Sequence, residues 1–119
     1  MWVDSEEEKM TTNSSHLRIR ELNDVHRKSM SRDVVITSGV ASLSERVREK
    51  VIHTVAAFDT FTTDNDPHGE HDFGGFEVEG LKFFWKIDYF DVELEFTTPN
   101  RADESLTRRI LTIMLADEY

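Results

Sequence analysis

An alternating run of apolar and polar residues around Gly80 constrains the fold more than any other feature of this sequence. Before the glycine, Phe76 and Val78 alternate with glutamates. After it, apolar and aromatic side chains again occupy every second position: Phe83, Trp85, Ile87 and Tyr89. Because successive side chains of a strand point to opposite faces of a sheet, the pattern predicts strands at about 74–79 and 82–90 joined by a turn. Trp85 is then expected to pack in the core.

The opposite face of the second strand carries a mixture of aromatic and charged residues. Its members are Phe84, Lys86, Asp88 and Phe90. If no helix covers them, the two aromatic rings form an exposed patch, and these four residues become a candidate interface. The structural alternative is an ion pair between Lys86 or Asp88 and a glutamate of a neighbouring strand.

Three further segments carry strand patterns. Val92, Leu94 and Phe96 alternate with glutamates, which predicts a strand at about 92–96, and the β-branched run beginning at Val34 predicts one at about 34–37. Near the end of the chain, a short helical turn followed by a strand at about 109–115 is favoured over a single helix. The expected sheet is small and antiparallel.

Two segments have helical periodicity. Ser42 and Glu45 stand at the spacing of a capping box, and an apolar stripe with mainly four-residue spacing follows: Leu43, Val47, Val51, Val55 and Phe58. This pattern predicts a helix at about 42–58 with one face on the core. Ile19, Leu22 and Val25 predict a second helix at about 16–30.

The first residues differ in composition from the rest of the chain. Residues 1–15 are polar and acidic and have no apolar period, so we expect a flexible acidic arm followed by a single α+β domain at 16–119. The arm lacks the basic start and apolar stretch of a signal peptide. Nowhere do eighteen consecutive apolar residues occur, so we expect no membrane span.

Charge and cysteine content narrow the function classes. Fourteen Lys and Arg against twenty-four Asp and Glu give a net charge of −10, which repels phosphates and anionic membranes. Direct binding to nucleic acid is therefore not expected, whereas a basic protein partner suits the charge. The chain has no cysteine, which excludes disulfides and thiolate nucleophiles and fits a cytoplasmic location.

The segment 59–72 is expected to be a long exposed loop, because Pro67 and Gly69 interrupt any helix or central strand. It contains the densest group of polar side chains able to bind a ligand: Asp64, Asp66, His68, Glu70, His71 and Asp72. The favoured explanation is structural, with Asp and Asn side chains making turns. A binding site is the second possibility.

Metal catalysis is the third possibility for this loop. His68, His71 and Asp72 are the candidate ligands, since His-x-x-His with nearby carboxylates could hold a divalent metal and activate its water. The zinc-protease pattern does not fit, because it requires histidines four residues apart on a helix. A calcium loop counted from Asp64 does not fit either, because Gly75 stands where a glutamate is needed. No residue is assigned a catalytic role, and no cofactor is expected.

Two blocks are specific as a combination, namely NDPHGEHDFG at 65–74 and FFWKIDY at 83–89. With shorter matches at 22–24, 57–59 and 111–116, they resemble a bacterial family of small proteins of unknown function. Its members are often carried on plasmids and other mobile elements. The resemblance extends over about 20–119 and implies no established activity or cofactor.

Together these observations favour a small acidic binding or regulatory protein of mobile genetic elements, acting on a protein partner. An acidic surface would provide the contact. The alternative is a metal-dependent hydrolase that uses the loop from His68 to Asp72.

Overall fold

The computed structural model describes the backbone of residues 5–119 and the side chains of residues 14–119. It contains three helices and a four-stranded sheet, so the predicted α+β class is confirmed. The elements in chain order are α1 (Ser5–Ser29), β1 (Val34–Ile36), α2 (Ser38–Ala41), α3 (Glu45–Ala56), β2 (Phe73–Val78), β3 (Leu81–Phe90), the 3-10 turn Glu104–Leu106, β4 (Arg108–Leu115) and the 3-10 turn Ala116–Glu118. None of the described helices is long and apolar enough to cross a membrane.

The hairpin predicted around Gly80 is confirmed. Strands β2 and β3 pair antiparallel, and Val78 lies opposite Leu81. The two residues between them, Glu79 and Gly80, have φ of 49° and 79°. Positive φ at both central residues is the requirement of a type I′ turn, whose twist matches that of the flanking strands.

The strand order is β1-β4-β3-β2. The strands predicted at 34–37 and 109–115 are confirmed as β1 and β4, and a helical turn precedes β4 as expected. β1 runs parallel to β4, with Val34 opposite Leu111. The sheet is therefore mixed, and the expectation of a wholly antiparallel sheet is wrong at this edge.

The strand predicted at 92–96 is wrong. This segment is a turn that leaves β3 and returns to it, closed by an antiparallel bridge between Phe90 and Thr97. β2 pairs with β3 only as far as Lys86, so the end of β3 has a free edge, and the returning chain meets it at Thr97 rather than at 92–96. The backbone N of Asp91 bonds to the Phe96 carbonyl and that of Leu94 to the Asp91 carbonyl, so residues 92–96 close a turn instead of extending along β3.

Helix α3 has the predicted apolar face but a different start. Val51 and Val55 are fully buried against the sheet, as expected. The helix begins at Glu45, and its N-cap is Ser44, whose side chain accepts a hydrogen bond from the backbone N of Val47. Ser42 instead ends the short helix α2, so the predicted capping box and the continuous helix over 42–58 are wrong.

Helix α1 ends close to the predicted residue but begins at Ser5 rather than near 16. Its buried positions are also different: Ile19, Asn23 and Arg27 face the sheet, whereas Val25 is 68% exposed. Residues 1–4 lie outside the described residues. The flexibility of an arm at 1–15 stays a prediction.

Trp85 is fully buried, which confirms the expected core packing. Phe58 packs edge-on against its indole, and the Arg27 guanidinium lies 5.1 Å from its ring. Opposite Trp85 on β2 stands Gly74, where a Cβ would collide with the Trp85 indole and the Phe58 ring. Helices α1 and α3 thus share one face of the sheet.

Candidate functional site

The loop 59–72 is irregular, as predicted, but it is not simply exposed. Asp66 shapes its second half by accepting hydrogen bonds from the backbone N of Glu70 and of His71, at 3.0 and 3.2 Å. Gly69 has φ of 65°, and its carbonyl accepts a hydrogen bond of 2.6 Å from Arg20 Nε on α1. The loop is thereby fastened to α1 with Glu70 and Asp66 buried.

Glu70 is the most buried ionisable side chain of the loop, only 3% exposed. The Arg101 guanidinium binds both of its carboxylate oxygens, at 2.9 and 3.1 Å. His16 Nδ1 lies 2.6 Å from the same carboxylate. A buried carboxylate needs such partners because removal from water otherwise favours its neutral form.

Asn23 joins α1, the loop and the sheet at one point. Its Nδ2 donates to the Glu70 carbonyl at 2.9 Å and to the Tyr89 hydroxyl at 2.7 Å. Its Oδ1 accepts a hydrogen bond of 2.7 Å from Arg109 Nε on β4. Since the side chain is completely buried, each of these bonds is made away from water, where an unmade bond would be costly.

Tyr89 continues the network to the next carboxylate by donating a hydrogen bond of 2.9 Å to Asp72. Burial raises the pKa of Asp72, and the nearby Glu70 and Asp66 raise it further against the lowering effect of the tyrosine. Burial also raises the pKa of Tyr89, so its hydroxyl keeps its proton.

His71 belongs to a second group on the same loop. Its Nδ1 lies 2.9 Å from Asp24 Oδ1, which also accepts a hydrogen bond of 2.9 Å from Arg27. Burial alone would raise the pKa of Asp24, but the bonds from His71 and Arg27 outweigh it and the pKa is lowered. The imidazole stacks on Phe61 with ring centroids 3.6 Å apart.

The candidate loop residues do not converge on one centre. Asp66, Glu70, His71 and Asp72 are engaged within the network, whereas His68 is exposed and stacks against His16 at 5.7 Å. Asp64 is exposed at the surface of the loop. Within residues 14–119, no three His, Asp or Glu side chains are arranged to hold a metal ion. The arrangement fastens a loop by ionic and neutral hydrogen bonds.

Sequence reasoning missed the partners that α1 and β4 supply to this network. They are His16, Arg20, Asn23, Asp24 and Arg27 from the helix, with Arg101 and Arg109 from the C-terminal part. One signal was present, because Asn23 and Arg27 follow Ile19 at four-residue spacing. Polar residues on that helical face indicate a buried network when a charged loop lies elsewhere in the chain.

The candidate interface residues lie on the sheet face away from α1 and α3. Phe84 packs against Phe73 and Tyr119, with ring centroids 5.2 and 5.4 Å apart. Lys86 and Asp88 form an ion pair of 3.0 Å with each other, rather than with a glutamate of a neighbouring strand. All four residues, including Phe90, are half-buried, and their role as an interface stays a prediction.

The segment 91–97 follows directly from this strand, and we call it the docking loop after the role that we propose for it. Asp91 organises it: its backbone N donates to the Phe96 carbonyl at 2.8 Å, and its carboxylate accepts from the Glu95 backbone N at 3.0 Å. Leu94 adopts a left-handed backbone with φ of 57°. Val92, Leu94 and Phe96 are 56%, 41% and 70% exposed. The loop is thus held in shape by its own hydrogen bonds while its apolar side chains face solvent.

Comparison with known proteins identifies the family. A family model described as "Protein of unknown function (DUF3768)" matches residues 36–118, and the chain belongs to this family. The match contains the loop 59–72, the docking loop and the whole sheet except for most of β1. Neither the curated proteins nor the solved structures gave a match.

Proposed function

We propose that this member of the DUF3768 family is a small acidic protein-binding module that regulates a basic protein partner through its docking loop. The observation that carries the proposal is the exposure of three large apolar side chains, Val92, Leu94 and Phe96, on one short loop held by its own hydrogen bonds. Single apolar side chains are common on protein surfaces, but clusters of large ones mark interaction sites. Phe is also enriched among interface residues.

The backbone of the docking loop supports the same proposal. A branched residue such as Leu94 is disfavoured at positive φ, by roughly 1–2 kcal/mol relative to its right-handed conformation. Selection for stability alone would favour glycine at this position. A leucine there, with its side chain 41% exposed, has a local backbone cost of the kind that clusters at functional sites.

Charge supports the choice of partner. The apolar residues of the docking loop alternate with Asp91, Glu93 and Glu95, in a chain with a net charge of −10. A partner with an apolar pocket bordered by Lys or Arg would complement both the apolar and the acidic side chains of the loop. Such complementarity accelerates association and disfavours acidic or nucleic-acid ligands.

The regulatory setting is the least direct part of the proposal. Its association with mobile genetic elements rests on the resemblance of the blocks at 65–74 and 83–89. The candidate interface from Phe84 to Phe90 offers a second surface to the same partner, since it leads into the docking loop.

The proposal is tested by affinity capture from the native cell with matched variants. We expect a partner retained by the wild-type protein to be lost by the double variant Val92→Ser, Phe96→Ser. It should be kept by Leu81→Ser, which removes a similarly exposed side chain at the opposite end of β3. Reversing charge with Glu93→Lys and Glu95→Lys should weaken capture most at low salt. Capture that is indifferent to all of these changes would exclude the docking loop as the contact.

The alternative of a metal-dependent hydrolase has less support, because His68 and His71 contact different partners. A metal bound only by the native state would stabilise it by about 2.7 kcal/mol at a hundredfold excess over Kd. We expect thermal melts to show no shift with zinc, manganese, magnesium or calcium. A shift that disappears in His68→Ala would favour the hydrolase.

A further inference from the structure

A cavity of about 450 Å³ lies where the C-terminal half of α1 approaches the beginning of β4. This volume falls within the range of small-molecule sites, roughly 300–1,000 Å³. Its wall is formed by α1, the segment 31–33, the beginning of β4 and Val92 of the docking loop. None of the residues proposed from sequence as a candidate site lines it.

The cavity wall includes Arg109, a buried cation with no anionic partner among the described residues. Arg109 is only 6% exposed. Its guanidinium donates hydrogen bonds to Asn23 Oδ1 and to the Arg101 carbonyl, which are both neutral groups. No described carboxylate oxygen lies within the 4.0 Å that defines an ion pair. The guanidinium also lies over the Tyr89 ring, 5.3 Å from its centroid, so its close contacts are all with neutral groups. Buried charges in proteins are generally paired with an opposite charge, which a ligand in the cavity would supply.

The other charged residues of the wall define how much negative charge the cavity can accept. Arg108 neutralises Asp33 through two hydrogen bonds, of 3.1 and 2.9 Å. Arg32 adds a cation, and Glu104, which is largely exposed, adds an anion. Together with Arg109, the charged residues of the wall have a net charge of one positive unit, in a protein whose net charge is −10.

A sixth ionisable group, His26, also lines the cavity. Its Nε2 lies 3.3 Å from the Asp33 carbonyl, and burial lowers the pKa of the imidazole. The ring is therefore neutral near neutral pH and can act as a hydrogen-bonding group. The charge balance of the wall is unchanged by it.

The remaining wall has two kinds of surface. Leu22, Val25 and Val92 provide apolar side chains, and Ser29 and Ser31 provide hydroxyl groups, which hydrogen-bond each other at 3.2 Å. This combination suits a ligand with a polar head and a short apolar tail.

We propose that this cavity binds a small organic acid with a single carboxylate, which pairs with Arg109 while a branched or aromatic tail contacts Leu22, Val25 and Val92. A guanidinium matches the planar carboxylate in shape and donor geometry. A phosphate dianion would meet the carboxylates of Asp33 and Glu104 with only one surplus positive charge to offset them. The proposal shares Val92 with the docking loop, but it does not require the partner, and its test uses the purified protein alone.

The test uses isovalerate as the probe, with isovaleramide as its neutral isostere and inorganic phosphate as a doubly charged competitor. Titration followed by two-dimensional NMR should give saturable shifts at the backbone amides of Ser31, Thr107 and Arg109 with isovalerate. Isovaleramide and phosphate should each bind at least about tenfold more weakly, a difference easily resolved in such titrations. A rise in the melting temperature should accompany isovalerate binding.

Variants assign the binding to this cavity. Val25→Glu places a negative charge at an exposed position of the wall and should weaken isovalerate binding at least about tenfold. Val35→Glu makes the same change at another exposed valine, outside the cavity, and should leave it unaffected. Arg109→Met should abolish binding. If Arg109→Met does not fold, Val25→Glu still tests the proposal. The proposal fails if isovalerate gives no saturable shifts, if the amide or phosphate binds equally well, or if Val25→Glu has no effect.

Discussion

The loops 59–72 and 91–97 invert the usual relation between composition and location. The first is rich in charged residues, yet Glu70 and Asp66 are buried. The second carries large apolar side chains, yet Phe96 is 70% exposed, more than any other large apolar residue described except Tyr119. The difference comes from partners: α1 and the C-terminal part of the chain supply guanidinium, imidazole and amide groups to the first loop, whereas the second bonds to its own backbone. Available partners, rather than polarity, decide which loop is packed.

The largest effect is expected from removing the main cation that faces Glu70. Arg101→Ala leaves a carboxylate that is 3% exposed with His16 as its remaining side-chain partner. Breaking a fully buried ion pair costs about 3–5 kcal/mol, and the loss here should be smaller because Arg101 itself is 39% exposed. Chemical denaturation should register the loss directly.

Arg18→Ala is the matched control. It removes an exposed ion pair within helix α1, between Arg18 and Glu21. An exposed pair contributes about 0–1 kcal/mol. Equal losses in both variants would mean that the loop 59–72 is no better anchored than the surface.

The next effect concerns two carboxylates with opposite pH behaviour. The pKa of Asp24 is lowered, so its contribution is present above the ordinary value of 3.8 and is lost as pH falls through the folded pKa. The pKa of Asp72 is raised, so its ionisation costs stability as pH rises from 3.8 through the folded pKa.

Denaturation across this pH range should separate the two carboxylates. The stability difference between the wild type and Asp24→Asn should shrink in acid. The Asp72→Asn variant should become more stable relative to the wild type as pH rises. Parallel curves for the two variants would contradict the assignment.

A smaller effect, with a gain in stability, is expected in the docking loop. Leu94→Gly removes a branched side chain from a backbone with φ of 57°, which glycine adopts without strain. We expect the free energy of unfolding to change by no more than about +1 kcal/mol, because greater freedom of the unfolded chain offsets part of the gain. The same variant should bind the partner less well. A clear loss of stability would show that the Leu94 side chain contributes to the fold.

The smallest effect on stability is expected from Phe96→Ser. The ring is 70% exposed, and substitutions at such positions usually change stability by less than about 0.5 kcal/mol. Thermal melts of Phe96→Ser and the wild type should therefore nearly coincide, although capture of the partner is lost. A large drop in melting temperature would indicate that the docking loop is part of the folding core.

Local patterns predicted the elements whose neighbours are close in sequence. The hairpin around Gly80 and the buried face of α3 both followed from periodicity, because each pattern corresponds to a single apolar face. Periodicity failed at 92–96, where alternation was present but hydrogen bonds within the segment close it into a turn, and only Thr97 pairs with the end of β3. It also failed on α1, where the expected stripe included Val25 and the buried one includes Asn23 and Arg27.

The candidate site was predicted as a list of loop residues without their partners. Asp66, Glu70 and His71 were identified, but His16, Asn23 and Arg101 were not, and these lie 31–54 residues away in the chain. A pattern within one segment cannot indicate contacts with residues so far away in the chain. A buried helix residue such as Asn23 is also indistinguishable in sequence from one that faces solvent.

The position of β4 in the sheet has a consequence for how the chain folds during synthesis. β4 is the last strand in sequence but lies between β1 and β3. Until it emerges from the ribosome, β1 has no partner and the hairpin presents an unpaired edge. Such nascent chains fold late and are prone to aggregate, so chaperones should engage this protein until the final strand inserts.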